Sequence, residues 1–240
     1  MNKPAHGGPL DQLEAIGRQE VQLAPGLTHL EVFTMRGLLT VLWHGPHDTA
    51  SVVVAGGGAM GGLLGPADGL YHELGVALGA QGIGMLRVGW RRPNDLDLCR
   101  LDMLAVADLA ARSGAERFVT VGHSFGGAVA IQAAVAMGEW AAGVVTLATQ
   151  SAGCEPAAAL ADVPLILFHG ECDELLPPMA SEMVRMLAGQ GELVLLPGTG
   201  HLMTEAGAVL RERLGTWIPE QFCRHAEAEG NATPPVPDPL

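Results

Sequence analysis

One hexapeptide constrains this chain more than any other stretch: Gly122-His123-Ser124-Phe125-Gly126-Gly127. The apolar run Phe118-Val119-Thr120-Val121 precedes it and has the composition of a strand. Ala128 to Met137 follows and reads as a helix. A serine flanked by glycines two residues to either side, at a strand-to-helix corner, is the pattern of a nucleophile elbow. The reason is steric. The corner is so tight that the serine is expected in a strained backbone conformation, and a Cβ at 122 or 126 would clash. Glycine removes both clashes. The hydroxyl then projects above the sheet, with the N-terminus of the next helix aimed at it. The plainer alternative is that these glycines only let a helix pack closely on a sheet.

A serine hydroxyl is a poor nucleophile near neutral pH and needs a base within reach. Histidine suits that role, and an acid behind the histidine holds its tautomer and stabilises its charged form. The apolar run Glu192 to Leu196 ends in Pro197-Gly198-Thr199-Gly200-His201, a loop that presents His201. The run Val163 to Phe168 ends in His169-Gly170-Glu171-Cys172-Asp173-Glu174. Asp173 is the best-placed acid there, with Glu171 and Glu174 as alternatives. A third apolar run, Val52-Val53-Val54-Ala55, ends in Gly56-Gly57-Gly58-Ala59-Met60-Gly61-Gly62. Such a loop offers backbone N–H groups to an anion. No Gly-x-x-x-x-Gly-Lys follows, so a phosphate-binding P-loop is excluded. The remaining candidate anion is the oxyanion formed when a serine attacks an ester, and the plainer alternative is a flexible turn that binds nothing.

The rest of the chain alternates strand-like and helix-like segments. Residues 28–33 and 38–43 are expected to form a hairpin around Met35-Arg36-Gly37. Leu70, Leu74 and Leu78 mark one face of a helix ending near Gly79 to Gly82. A strand over 83–89 is followed by a helix capped by Asn94 or Asp95, with the stripe Leu98, Leu101, Ala105, Leu109. Residues 143–148 form a further strand, and Met179, Met183 and Met186 mark a helix whose methionines are expected to pack in the core. Leu210, Leu214 and Trp217 face inward from the last helix. Strands joined by helices through short links imply a mostly parallel sheet covered on both faces. Right-handed crossovers place the strand C-termini on one edge, where open α/β sheets carry their ligand sites. The glycine loop, Ser124, Asp173 and His201 all fall on that edge.

The order Ser124, Asp173, His201, together with the elbow, resembles the α/β-hydrolase superfamily. The resemblance spans about residues 28–220 and rests on four motifs: Gly56-Gly57-Gly58, the elbow, His169-Gly170-Glu171-Cys172-Asp173 with Pro177-Pro178 beyond, and Gly198-Thr199-Gly200-His201. It implies an α/β-hydrolase fold with Ser124 as nucleophile, Asp173 as acid and His201 as general base. It also implies an oxyanion hole from the N–H groups of Phe125 and of Gly58 or Gly57. Members often carry His-Gly where this chain has Gly56-Gly57. Many also insert a large helical lid in the segment that here spans only residues 149–162, so the chain is similar to small lidless esterases and dienelactone-hydrolase-like members. In the dienelactone group the nucleophile is cysteine. The implied activity is hydrolysis of a carboxylic ester or thioester of a small acyl substrate, without metal or organic cofactor. Acyl transfer or perhydrolysis would use the same triad, and a non-catalytic ligand-binding protein on this scaffold is the rival outside enzymes.

Composition narrows the rest. The 240 residues are 48% hydrophobic and 16% charged, enough for one α/β domain over 1–240 with a core over about 28–220. Residues 1 to about 12 read as a loose end and 226–240 as a disordered tail. A net charge of −13 without a basic stripe excludes nucleic acid and disfavours anionic membranes. The first residues hold no secretory signal, no stretch is long enough to span a bilayer, and four scattered cysteines imply free thiols in a cytoplasmic protein. Asn231-Ala232-Thr233 is read as an accidental glycosylation pattern. His44 and His47 are read as a solvated loop rather than metal ligands. Arg91 and Arg92 are read as solvated, with binding of a substrate carboxylate as the alternative. His123 and His169 are read as structural hydrogen-bonders beside the site, and Cys172 as a buried, inert thiol.

Overall fold

The computed structural model describes residues 7–231. Its centre is a nine-stranded sheet in the order β1-β2-β3-β5-β4-β6-β7-β8-β9. The strands are β1 (Ala15–Ala24), β2 (Leu27–Thr34), β3 (Gly37–His44), β4 (Ser51–Gly56), β5 (Gly84–Gly89), β6 (Arg117–His123), β7 (Ala141–Leu147), β8 (Leu165–Gly170) and β9 (Glu192–Leu196). The helices are α1 (Leu70–Gly79), α2 (Leu96–Ala111), α3 (Phe125–Met137), α4 (Met179–Ala188) and α5 (Gly207–Asn231). From β5 and β4 to β9 every pairing is parallel, while β1, β2 and β3 are antiparallel.

The parallel strands read as apolar runs because both faces are covered. Val52 and Val54 of β4 pack with α2 and α3, whereas Val53 and Ala55 pack with α1 and α5. Leu70, Leu74 and Leu78 are buried on α1, and Leu210, Leu214 and Trp217 on α5, as their spacing predicts. Asp95 caps α2, its side chain accepting from Leu98 N at 3.2 Å. The buried face of α2 is centred on Cys99, Met103, Val106 and Ala110 rather than on Leu98 and Leu101, which are half-buried.

Several expectations are corrected. Ala15–Ala24 forms β1, an edge strand exposed along its whole length, so no buried face marks it in the sequence. The polar run from Ala226 continues α5 to Asn231 instead of breaking, and 232–240, with the rest of the glycosylation pattern, lie outside the described residues. Residues 1–6 of the expected loose end also lie outside them. Met179, Met183 and Met186 face outward, 63%, 49% and 69% exposed, because α4 turns Ala180, Ser181 and Val184 to the sheet. His44 is no loop residue: it ends β3, buried against α1, while His47 stacks on Trp43 with ring centroids 4.2 Å apart. Residues 149–162 hold one short 3-10 turn, Glu155–Ala159, and no lid domain. No helix among the described residues is long and apolar enough to cross a membrane.

Candidate active site

The parallel register brings the strand ends level. Gly56 of β4 lies opposite Gly122 of β6, His123 opposite Leu147 of β7, and Gly170 of β8 opposite Leu196 of β9. The segments after β4, β6, β8 and β9 therefore rise from one rim. They carry Gly57-Gly58, Ser124, Asp173 and His201.

Ser124 occupies the corner between β6 and α3 at φ 56°, ψ −119°. This is the strained conformation expected of an elbow, costing on the order of 1–3 kcal/mol and held by its surroundings. Three bonds hold it. Ser124 N donates to Leu147 O at 2.8 Å, and its carbonyl accepts from Gly127 N at 3.0 Å and Thr149 Oγ1 at 3.4 Å. The flanking glycines behave as predicted. A Cβ on Gly122 would run into the Gly126 carbonyl, and one on Gly126 into the carbonyl of Gly57. The second collision has a consequence: the absence of that Cβ lets α3 lie directly against the glycine loop.

That loop is anchored from below. Tyr71 Oη donates to Gly56 O at 2.9 Å and Trp90 Nε1 to Gly57 O at 3.1 Å. A turn closes on it, with Gly61 N donating to Gly58 O at 2.9 Å. Gly58 abuts the serine, since a Cβ built there would meet Ser124 Cβ and His123 Nδ1 at 3.7 Å. Phe125 is the first residue of α3, where an N–H has no partner within its helix. Tyr71, Trp90 and Thr149 were not legible as site residues. Each acts through one polar atom on a carbonyl distant in sequence, and no local spacing encodes that.

The expected acid and base meet. His201 Nδ1 lies 2.7 Å from Asp173 Oδ2. Asp173 is fully buried at its side chain and His201 is 12% exposed. Their loops are stitched together, with Glu171 N donating to Leu196 O at 3.0 Å and Cys172 N to Thr199 O at 2.9 Å. Asp173 Oδ1 accepts from Leu175 N at 2.9 Å and Leu176 N at 2.8 Å. Burial alone would push this carboxyl up. The Leu176 N–H, His201 and the Leu175 N–H outweigh it and hold the group below the usual carboxylate range. Glu171 and Glu174 are exposed and bond to neither histidine.

His123 ties the base to the elbow. Its Nε2 donates to His201 O at 3.0 Å, and the two rings lie 5.0 Å apart at their centroids. Burial pushes His123 down to about 4, so it is neutral at ordinary pH. Ser124 Oγ and the His201 ring are not themselves hydrogen-bonded among the described residues. Arg91 is neither solvated nor at the site: it forms a buried ion pair with Asp102. Arg92 is exposed. Cys172 is exposed rather than buried, and all four cysteines are free. Among the described residues no group of three His, Cys, Asp or Glu side chains is placed to hold a metal ion.

Residues 100–206 match the model of the phospholipase/carboxylesterase family. No curated protein matches the chain. Among solved structures, it is similar to Est1E from Butyrivibrio proteoclasticus at 18% identity, with 81% of this chain and 99% of that one covered and a TM-score of 0.68. The dienelactone hydrolase from Anabaena variabilis aligns at 16% identity over 85% of this chain and 98% of its own, with a TM-score of 0.69. A thioesterase domain from the curacin biosynthetic pathway aligns at 14% identity, over 79% and 99%, with a TM-score of 0.59. A mostly parallel sheet clothed by helices on both faces, shared with these structures nearly end to end on their side, gives this chain the α/β-hydrolase fold.

Proposed function

We propose that this protein is a serine hydrolase that cleaves a carboxylic ester or thioester through an acyl-enzyme on Ser124, working as one α/β-hydrolase domain. The observation that carries the reading is the buried Asp173–His201 pair, 2.7 Å apart, tied through His123 to a serine in the strained elbow conformation. Asp173 accepts the Nδ1–H of His201, so Nε2 is the free basic nitrogen. Ser124 Oγ attacks the carbonyl carbon and its proton passes to His201 Nε2. The carbonyl oxygen becomes an oxyanion and takes hydrogen bonds from the N–H of Phe125 and of Gly58 or Gly57, each worth roughly 3–4 kcal/mol in the transition state. His201 then gives its proton to the leaving alkoxide or thiolate, and water attacking through the same base frees the acid. The Ser124–His201 gap fits this scheme, because catalytic hydrogen bonds in unliganded sites often tighten only when substrate binds.

The rim favours an apolar acyl part. Met60, Leu64, Leu175 and Leu202 stand in the loops beside Gly58, Asp173 and His201, and are 93%, 65%, 73% and 62% exposed. The hydrolase names of the family model and of the structural neighbours support the same class of reaction. The free cysteines fit a reducing cytoplasm.

The test is Ser124→Ala against p-nitrophenyl acetate, with a fluorophosphonate probe on the wild type. The expected outcome is stoichiometric labelling of Ser124 and loss of turnover in the variant. Turnover retained by Ser124→Ala would refute the assignment, and an unlabelled wild type without turnover would favour a non-catalytic binder.

A further inference from the structure

Asp173 faces two histidines. His169, in β8, is fully buried, and its Nε2 lies 3.2 Å from Asp173 Oδ2 and 2.9 Å from Leu176 O. Its Nδ1 lies 2.6 Å from Ser181 Oγ, in the first turn of α4, and Ser181 is fully buried too. These partners set the tautomer. A carboxylate and a carbonyl can only accept, so the nitrogen facing both, Nε2, carries the hydrogen. In the neutral ring Nδ1 is then the acceptor, and the Ser181 hydroxyl donates to it. The oxygen that His169 approaches, Oδ2, is the one that accepts from His201 Nδ1. Oδ1 is occupied by the two N–H groups of Leu175 and Leu176. The other titratable groups around the pair are His123 from β6, whose ring lies beside His201, and Glu205, whose carboxylate accepts from Gly200 N at 3.3 Å.

We propose that His169 is a positioning residue for the Asp173–His201 pair, its Nε2–H shared between Leu176 O and Asp173 Oδ2, with Ser181 holding the ring in that tautomer. This rests on the reading of Ser124, Asp173 and His201 as a catalytic triad. Two consequences follow from the shared oxygen. The carboxylate is pinned at both oxygens, so it cannot rotate away from His201. The His169 N–H also shares Oδ2 with His201, so the oxygen that orients His201 is itself held in place.

The experiment compares wild type, His169→Leu and His169→Gln on p-nitrophenyl acetate across pH. Leucine removes the donor, and glutamine returns an N–H to about the position of Nε2. In His169→Leu, kcat is expected to fall roughly tenfold to a hundredfold, the cost of a hydrogen bond to a charged group. KM is expected to stay near wild type. His169→Gln is expected to restore most of kcat, which a purely packing role would not do. Fluorophosphonate labelling of wild-type Ser124 separates the two levels. An unlabelled wild type overturns the triad reading and this proposal with it. A labelled wild type whose leucine variant keeps its kcat overturns this proposal alone. Should the leucine variant fail to fold, long-range 1H–15N spectra of the wild type decide. His169 protonated at Nε2 supports the proposal, and protonation at Nδ1 overturns it.

Discussion

At the scale of single residues, the site depends on atoms that are missing as much as on those present. Gly126 lacks the Cβ that would enter the Gly57 carbonyl, so helix and glycine loop touch. Gly126→Ala is expected to cost roughly 1–3 kcal/mol, as an overpacked contact between backbones does, and to lower activity by displacing Gly58. The urea midpoint and p-nitrophenyl acetate turnover measure the two effects. Asp173→Asn keeps the shape of the acid and reverses its hydrogen bonding to His201. Under the proposed mechanism kcat falls by about 10⁴-fold, the size of the same change in a Ser-His-Asp protease. The structure holds the Asp173 carboxyl below the ordinary range and His123 down at about 4. Neither titrates between pH 5 and 8, so neither is expected to add a limb to the rate profile over that span. A limb in that window that disappeared on replacing His123 would contradict this.

Helices and strands show where periodicity informs and where it does not. The leucine stripes on α1 and α5 face the core, because each lies on a helix squeezed between the sheet and solvent. The methionine stripe of α4 has the same spacing and faces outward. Spacing puts residues on one side of a helix but does not say which side meets the sheet. On α4 the small residues Ala180 and Ser181 make the close contact, and Ser181 is spent on His169. Met183→Lys and Met186→Lys are therefore expected to change stability by no more than about 0.5 kcal/mol. Leu210→Ala, from a fully buried site on α5, is expected to cost roughly 2–5 kcal/mol. Thermal unfolding of the three variants tests the contrast. Strand β1 escaped the sequence reading for a related reason. With both faces in solvent, Ala15–Ala24 carries no alternation of buried and exposed residues to find.

For the molecule as a whole, buried histidines link stability to pH. His44 and His123 are both pushed down to about 4, burial being the main cause in each. In the unfolded chain a histidine titrates near 6.5. Below that pH the unfolded state takes up protons that the folded state refuses, so stability falls as pH drops from about 6.5 to about 4 and is unaffected above. Each histidine contributes roughly 3 kcal/mol across that window. The urea midpoint is expected to decline steadily between those limits. His44→Leu should remove about half the slope, and a midpoint constant from pH 7 to pH 4 would contradict the account.

The elbow, the order of its partners and the alternation of apolar runs with helical stripes were enough to determine the fold class and to offer Ser124 and His201 as candidates, with Asp173 leading Glu171 and Glu174 as the acid. The physical reason is that tight corners, buried strands and amphipathic helices each demand particular residues at short, local spacings. What they could not determine is everything set by contact between distant segments. The choice of Asp173 over Glu171 and Glu174 needed the β8 and β9 loops to be stitched together. The outward face of α4, the burial of Arg91 against Asp102, the exposure of Cys172 and the second histidine behind the acid likewise depend on which side of each element meets its neighbour. That is decided by packing in three dimensions, where residues far apart in the chain compete for the same space and the same hydrogen bonds.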